Sequence, residues 1–259
     1  MKFKFIFLFI STIFILSCSS KNSPTNTDTG NGGTNSYFPQ TIGSYWIYDN
    51  FSLDSANNIT GSANYTDSVV ISSQSVKDGK NAYVYTTYRD GTPSDTNYFY
   101  TDGSKIFINT LYYNNILSKI SVAAQAPLPF NIPAGWMLHS DLNGSTWNAY
   151  DTTFKNLDYL GIAKINGRMT IDYSKGSSSV ITINGAQLNS IEFITNFGFS
   201  GTITTPFSDV PVDFNYVIRN VYGENAGIMQ TKFENLNINF QQAINVQGNL
   251  STAKRYNIK

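Results

Sequence analysis

The chain has 259 residues and no net charge, because 17 lysines and arginines balance 17 aspartates and glutamates. No basic stripe is present, and this argues against nucleic acid as a partner. The single cysteine excludes an internal disulfide. Charged residues make up only 13% of the chain and aromatic residues 15%, which favours strands and turns, because aromatic and β-branched side chains suit pleated, half-buried surfaces.

The first seventeen residues have the pattern of a secretory signal. Lys2 and Lys4 supply positive charge, and a mainly apolar run follows from Phe5 to Leu16. A membrane-spanning helix needs roughly 20 apolar residues, so this run fits a signal core and is too short to span comfortably. We therefore predict that residues 1–17 are a signal peptide.

The four residues Ile15–Cys18 (Ile-Leu-Ser-Cys) resemble the bacterial lipobox. The resemblance implies that the Cys18 sulfur is lipidated, with acyl chains such as palmitate anchoring the mature protein in a membrane. Two acyl chains give stable anchoring, since each buried methylene contributes about 0.8 kcal/mol. Ser19 stands where an aspartate would resemble an inner-membrane retention signal. The implied location is therefore the cell envelope, at the outer membrane.

Residues 18–36 form a predicted flexible linker after the lipid anchor. They are almost wholly Ser, Thr, Asn, Gly, Pro and charged residues, which cannot bury enough apolar surface to offset the entropy of ordering. Residues 37–259 are predicted to form a single all-β domain.

Period-two alternation marks several strands of this domain. In each run, apolar residues occupy one face and polar residues the other, as in antiparallel sheets with one solvated face. The clearest runs are Arg168–Tyr173, Glu192–Phe199, Val212–Arg219 and Asn235–Gln241. We predict an antiparallel meander sheet, forming a curved sandwich or a half-open barrel.

Turn signals divide the predicted strands. Asp78-Gly79, Asp90-Gly91 and Asp102-Gly103 bracket the strand-like segments Ala82–Tyr88 and Asn97–Tyr100, and Asp-Gly is a strong hairpin signal. Three Asn-Gly pairs predict further turns, at Asn143-Gly144, Asn166-Gly167 and Asn184-Gly185.

Two segments interrupt the alternation. Tyr112–Val122 is the best candidate for a short helix. The proline-rich segment Ala126–Pro133 cannot be a central strand, because proline lacks the donor that a ladder needs. Residues 126–153 are expected either to separate two sub-sheets or to cap one end of a barrel.

Two motifs in the domain resemble a family of exported bacterial proteins. Phe38–Tyr48 resembles the family's opening, Phe-Pro-x-x-x-Gly-x-x-Trp-x-Tyr, and Tyr222–Gln230 resembles its late glycine-containing hairpin. Leu250–Ile258 resembles the closing strand. These proteins are largely uncharacterised lipoproteins with antiparallel β folds, so the resemblance implies an architecture and no activity. We expect Trp46 to lie in the core, because large aromatics dominate core energetics.

Few residues suggest chemistry. His139 is the only histidine and is interpreted as a loop residue beside a turn. Asp141–Gly144 resembles the opening of a calcium loop, but Thr152 occupies the twelfth position, so an Asx turn is the better interpretation. No cysteine or histidine spacing indicates a metal, and no cofactor is predicted. A glycoside hydrolase would need two facing carboxylates, and nothing selects a pair from the three glutamates, Glu192, Glu224 and Glu234, or from the aspartates.

Aromatic residues are the one class in surplus, and several tyrosines cluster in the first half of the chain. Tyr83 and Tyr85 share a face of one strand, and Tyr98 and Tyr100 share a face of the next. Together they could form an aromatic ladder, either as cross-strand packing pairs or as a platform for a glycan or an apolar ligand. The predicted function is a non-catalytic, lipid-anchored envelope lipoprotein that binds or scaffolds through a curved sheet. The alternatives are an Asp/Glu-based glycan hydrolase and a purely structural envelope protein.

Overall fold

The computed structural model describes residues 36–124, 128, 130–238 and 244–259. The predicted signal peptide, the predicted lipidation site Cys18 and the predicted linker as far as residue 35 lie outside the described residues. The described part contains fourteen strands and one helix. In chain order they are β1 (Tyr45–Leu53), β2 (Ile59–Lys77), β3 (Lys80–Arg89), β4 (Thr92–Asp102), β5 (Lys105–Asn109), α1 (Leu111–Ala124), β6 (Trp136–Asp141), β7 (Thr146–Tyr159), β8 (Ala163–Ile183), β9 (Ala186–Thr204), β10 (Asp209–Gly223), β11 (Gly227–Phe233), β12 (Leu236–Ile238), β13 (Ile244–Val246) and β14 (Asn249–Asn257).

Twelve strands form one antiparallel sheet in the order β6-β5-β4-β3-β2-β1-β14-β11-β10-β9-β8-β7. Two meanders, β1 to β6 and β7 to β11, are therefore joined side by side through β14. The short strands β12 and β13 pair with each other. The predicted all-β, antiparallel fold is confirmed. Within the described residues, no helix is both long and apolar enough to cross a membrane.

The two edges of the sheet are consecutive in the chain. Edge strands β6 and β7 are joined by residues 142–145, which contain the predicted turn Asn143-Gly144. Across this junction the Trp147 indole Nε1 donates to the Leu138 carbonyl at 2.9 Å, and Lys175 Nζ donates to the Leu142 carbonyl at 2.7 Å. The sheet therefore curls into a nearly closed barrel. Its two edges are β6 and β7, so the described part of residues 126–153 does not separate two sub-sheets.

The Asp-Gly pairs form the predicted hairpins. Asp78-Gly79 and Asp90-Gly91 have φ values of 44° and 74°, and of 50° and 76°, as type I′ turns require. Asn166-Gly167 is different, because it lies inside strand β8 and forms no turn. A Cβ atom at Gly167 would lie 2.7 Å from the Ser200 carbonyl oxygen. This glycine therefore serves the close approach of β8 to β9, and the turn prediction for it was wrong.

The predicted helix is confirmed as α1, which lies against the inner face of the sheet. The Asn109 side chain accepts a hydrogen bond from the Leu111 backbone nitrogen at 3.2 Å at its start. The Asn114 side chain exchanges two 2.9 Å hydrogen bonds with the backbone of Ile132, which ties the helix to the segment before β6. Its inner face is fully buried, formed by Tyr113, Ile116, Leu117 and Ile120.

The two family-like motifs pack against each other. Trp46 of the first motif is buried, as predicted, and its Nε1 donates to the Ala226 carbonyl of the second motif at 2.6 Å. The Tyr48 hydroxyl donates to the Ile228 carbonyl at 2.7 Å. The beginning and the end of the domain are therefore locked together at the β1–β14–β11 junction.

Candidate functional site: a cavity inside the curved sheet

A cavity of about 560 Å³ lies inside the curved sheet, bounded by inward-facing side chains of the sheet and by helix α1. Strand register places its wall residues. Asp67 of β2 pairs with Arg89 of β3, and Thr87 and Tyr85 of β3 pair with Asp95 and Asn97 of β4. Since paired residues share a sheet face, alternate residues of three neighbouring strands all point into the cavity.

One end of the cavity, here called the aromatic end, is built from buried rings. The Tyr85 and Phe99 ring centroids are 4.9 Å apart, and Phe38 lies 5.4 Å from Tyr85 and 5.1 Å from Phe99. The Tyr85 hydroxyl donates to the Pro39 carbonyl at 2.8 Å, and burial raises the pKa of this phenol well above its usual value. The rings therefore present uncharged, mainly apolar surface to the cavity.

The opposite end, here called the polar end, contains the carboxylate of Asp67, which forms an ion pair with Arg89. Arg89 Nε and Nη2 donate to the two carboxylate oxygens of Asp67, both at 2.9 Å. The guanidinium carbon also lies 3.9 Å from the centroid of the Tyr65 ring, a cation–π contact. The hydrogen bonds to Asp67 raise the pKa of Arg89. The positive charge of Arg89 thus balances the negative charge of Asp67 within this end of the cavity.

A second carboxylate of the polar end joins the sheet to the helix. Asp95 on β4 accepts a 3.0 Å hydrogen bond from Asn115 Nδ2, and its other oxygen lies 3.7 Å from Lys119 Nζ. Two residues further along the same strand face, Asn97 has a buried side-chain oxygen with no hydrogen-bond partner among the described residues. Both residues line the cavity.

His139 lies in strand β6 and is buried beside the cavity, so its interpretation as a loop residue was wrong. Its Nε2 is 2.9 Å from the Tyr222 hydroxyl and its Nδ1 is 3.3 Å from the Tyr173 hydroxyl. Desolvation lowers the pKa of His139 to about 4, so the imidazole is neutral at pH 7. The strand was missed because β6 mixes apolar residues on both faces and gives no alternation.

The histidine belongs to a buried network of hydroxyl groups. The Tyr173 hydroxyl also forms a hydrogen bond with the Tyr113 hydroxyl of α1. Burial raises the pKa values of Tyr113, Tyr173 and Tyr222 above their usual value. At neutral pH this network is therefore uncharged, and it fixes β6, the helix and β10 to one another.

The four predicted ligand-binding tyrosines do not form one ladder. Tyr83 pairs with Phe99, whereas Tyr98 pairs with Val84, so the alternation of β4 puts Tyr98 and Tyr100 on the outer face of the sheet. Tyr100 stacks there on Phe107, with ring centroids 4.6 Å apart. Only the inner pair, Tyr83 and Tyr85, faces the barrel interior, and Tyr85 lines the cavity. Ligand binding by this residue stays a prediction.

The glutamates lie away from the cavity. Arg219 stands between Glu192 and Glu234, with N–O distances of 3.5 Å and 2.6 Å. Glu224 accepts a hydrogen bond from Asn189 Nδ2 at 2.9 Å. The predicted Asx turn is present, because Asp141 Oδ1 accepts from the Asn143 backbone nitrogen at 3.0 Å. No cluster of three metal-ligating side chains occurs among the residues that the structure describes.

No protein-family model and no curated protein sequence matches the chain. A solved structure of a candidate lipoprotein from Parabacteroides distasonis is similar over 85% of this chain and 98% of its own, at 13% identity and a TM-score of 0.43. A candidate exported protein with a YmcC-like fold from Bacteroides fragilis has the same coverage, at 10% identity and a TM-score of 0.37. At these values neither likeness assigns an activity or a site to this chain.

Proposed function

We propose that the protein is a lipid-anchored envelope protein, at the outer membrane, that binds a small amphiphile in the cavity without catalysing a reaction. The observation that carries this proposal is the gradient of the cavity lining, from buried aromatic rings at one end to hydrogen-bonded polar side chains at the other. The volume of about 560 Å³ is typical of small-molecule sites, which span roughly 300–1,000 Å³. The anchor rests on the lipobox resemblance at Cys18.

An apolar body fits the inner part of the cavity better than a glycan does. Beside the rings, the inner wall carries the aliphatic side chains of Val69, Ile108, Ile116 and Ile120. A glycan placed there would bury hydroxyl groups without partners, which costs about 1–3 kcal/mol for each group. An alkyl or ring-containing body would instead remove apolar surface from water, at about 25 cal/mol for each Å².

The state of the ionisable groups supports a binding role over hydrolysis. A carboxylate pair in a glycosidase needs one protonated and one free member. Here Asp67 is held by Arg89, and Asp95 by Asn115 and Lys119. Both nitrogens of the neutral His139 ring lie within hydrogen-bonding distance of tyrosine hydroxyls. These groups are engaged in holding the wall together.

The test compares two substitutions on one strand. Thr87 on β3 lines the cavity, whereas its neighbour Thr86 faces outward, with its Oγ1 at 3.0 Å from Ser72 Oγ. Thr87→Phe should narrow the cavity, and Thr86→Phe is the matched control on the outer face. The full-length protein is placed in lipid nanodiscs and titrated with 10-bromodecanol, whose tail bromine quenches a tryptophan in contact with it.

We expect saturable quenching of Trp46, which lines the aromatic end, in wild type and in Thr86→Phe. Thr87→Phe should weaken it, and both variants should melt near the wild-type temperature. Non-saturating quenching, or equal quenching in all three proteins, would contradict the proposed function. Saturable binding of maltooligosaccharides that Thr87→Phe weakens, without any response to bromodecanol, would favour the glycan alternative.

A further inference from the structure

We infer that the cavity selects amphiphiles whose headgroup is uncharged and donates hydrogen bonds, such as an alcohol or a glycerol monoester, over fatty acids and alkylamines. This inference rests on the proposed function and adds the class of headgroup. It depends on two features of the polar end, which are the balance of its charges and the presence of an unpaired acceptor.

The charges that line the cavity already satisfy one another. Among the described lining residues the charged side chains form two pairs, Asp67 with Arg89 and Asp95 with Lys119. The first pair is bidentate and is further supported by Asn50, whose amide nitrogen lies 3.4 Å from the Asp67 carboxylate. The remaining titratable histidine is neutral at pH 7. The lining therefore carries no net charge.

A charged headgroup gains little in such a site. An entering carboxylate would compete with Asp67 for Arg89 or with Asp95 for Lys119, and each exchange would leave a protein carboxylate without its cation. An entering ammonium would have the converse effect on the two cations. Leaving Asp67 without its cation is unfavourable, because its side chain is only 12% exposed, whereas the Asp95–Lys119 pair lies at the surface and matters less. An uncharged headgroup leaves both pairs in place.

The unpaired acceptor indicates which uncharged groups fit. Asn97 lines the cavity between the polar and aromatic ends, opposite Tyr85 on the neighbouring strand. Its buried side-chain oxygen has no hydrogen-bond partner within the described part of the chain. A hydroxyl group or an amide N–H of a ligand can donate to this oxygen once the Asn97 amide turns toward the cavity, whereas an ether, an ester carbonyl or a carboxylate cannot. A buried acceptor gains most from such a donor because it is already out of water.

The test uses a series of amphiphiles with one chain length. Decanol, 1-decanoylglycerol, methyl decanoate, decanoate and decylamine are used at pH 7.5 to displace 10-bromodecanol from the full-length protein in nanodiscs. Empty nanodiscs of the same lipid correct each titration for partitioning. Asn97→Leu removes the acceptor, and Thr96→Leu, on the outer face of the same strand, is the matched control.

We expect decanol and 1-decanoylglycerol to bind at least about tenfold more tightly than the other three, which is the effect of one well-placed hydrogen bond. Asn97→Leu should remove this preference, and Thr96→Leu should keep it.

The wild-type series alone decides the matter if Asn97→Leu does not fold. Decanoate, decylamine or the methyl ester binding as tightly as decanol would overturn the headgroup inference while leaving amphiphile binding intact. Failure of every member to displace the probe would overturn the inference, and failure of bromodecanol itself to bind would overturn the proposed function.

Discussion

The indole of Trp46 lies directly against Gly227, a residue 181 positions later in the chain. A Cβ atom at Gly227 would be 2.8 Å from Cζ2 of Trp46, and the backbone there has a φ of 81°. The same indole donates its hydrogen bond to the preceding residue, Ala226. This contact joins the first strand of the domain to its late hairpin and closes one side of the cavity.

Gly227→Ala should therefore destabilise the fold through two effects. The left-handed backbone conformation costs about 1–2 kcal/mol for a residue with a Cβ atom, and forcing the new methyl group against Trp46 adds about 1–3 kcal/mol. Gly185→Ala is the control, because Gly185 has the same φ of 81° but open space around its Cβ position. Urea unfolding should give a larger loss for Gly227→Ala, and equal losses would show that the contact with Trp46 is unimportant.

The buried histidine predicts that stability falls on mild acidification. In the folded protein burial lowers the pKa of His139 to about 4, while an unfolded histidine titrates near 6.5. Between these values the unfolded chain binds more protons, so stability rises with pH in this window. The contribution of the neutral His139 imidazole to the free energy of unfolding is complete above about pH 7. It is lost as the pH falls from about 6.5 toward 4, a loss of about 3 kcal/mol.

His139→Gln provides the comparison for this effect, because His139 is the only histidine in the chain. Free energies of unfolding are measured from pH 7.5 to pH 4.5 for both proteins. As the pH falls, the free energy of unfolding of wild type should decrease more steeply than that of the variant. The difference in slope should correspond to the uptake of up to about one proton on unfolding. Parallel curves would mean that the imidazole titrates normally in the folded protein.

The separation of the tyrosines onto two faces predicts different effects of truncation. Tyr85→Ala removes a buried ring from the aromatic end and should lower the free energy of unfolding by about 3–5 kcal/mol, by analogy with Phe→Ala. Tyr98→Ala removes a partly exposed ring from the outer face and should have a smaller effect. Chemical denaturation of the two single variants tests this order, and the reverse order would place Tyr98 in the core.

Cys18→Ala tests the anchor. The substitution removes the thiol that we propose receives the lipid, so the protein should leave the membrane fraction or accumulate unprocessed. Labelled palmitate should be incorporated into wild type and not into the variant. Ser17→Ala keeps a small residue before the cysteine and should leave both fractionation and labelling unchanged. If Cys18→Ala is processed normally and stays with the membrane, the protein is held there by some other means.

The sequence by itself determined the local features of the fold. Type I′ turns need positive φ at two successive residues, so Asp78-Gly79 and Asp90-Gly91 specify their hairpins wherever the rest of the chain goes. Alternation in β8, β9 and β10 specified strands with one buried face. These features depend on neighbours within a few residues, or on a single face being buried.

The tertiary structure decided what no local pattern contains. Strand register set Tyr83 opposite Phe99 and thereby sent Tyr98 and Tyr100 to the outer face, because a shift of one residue reverses every side chain of a strand. Closure of the sheet through the turn after β6 buried His139, which its own sequence neighbours do not mark as a core residue. The cavity likewise exists only because the curved sheet and helix α1 bring together residues from distant strands, and the pairing of its charges follows from that arrangement.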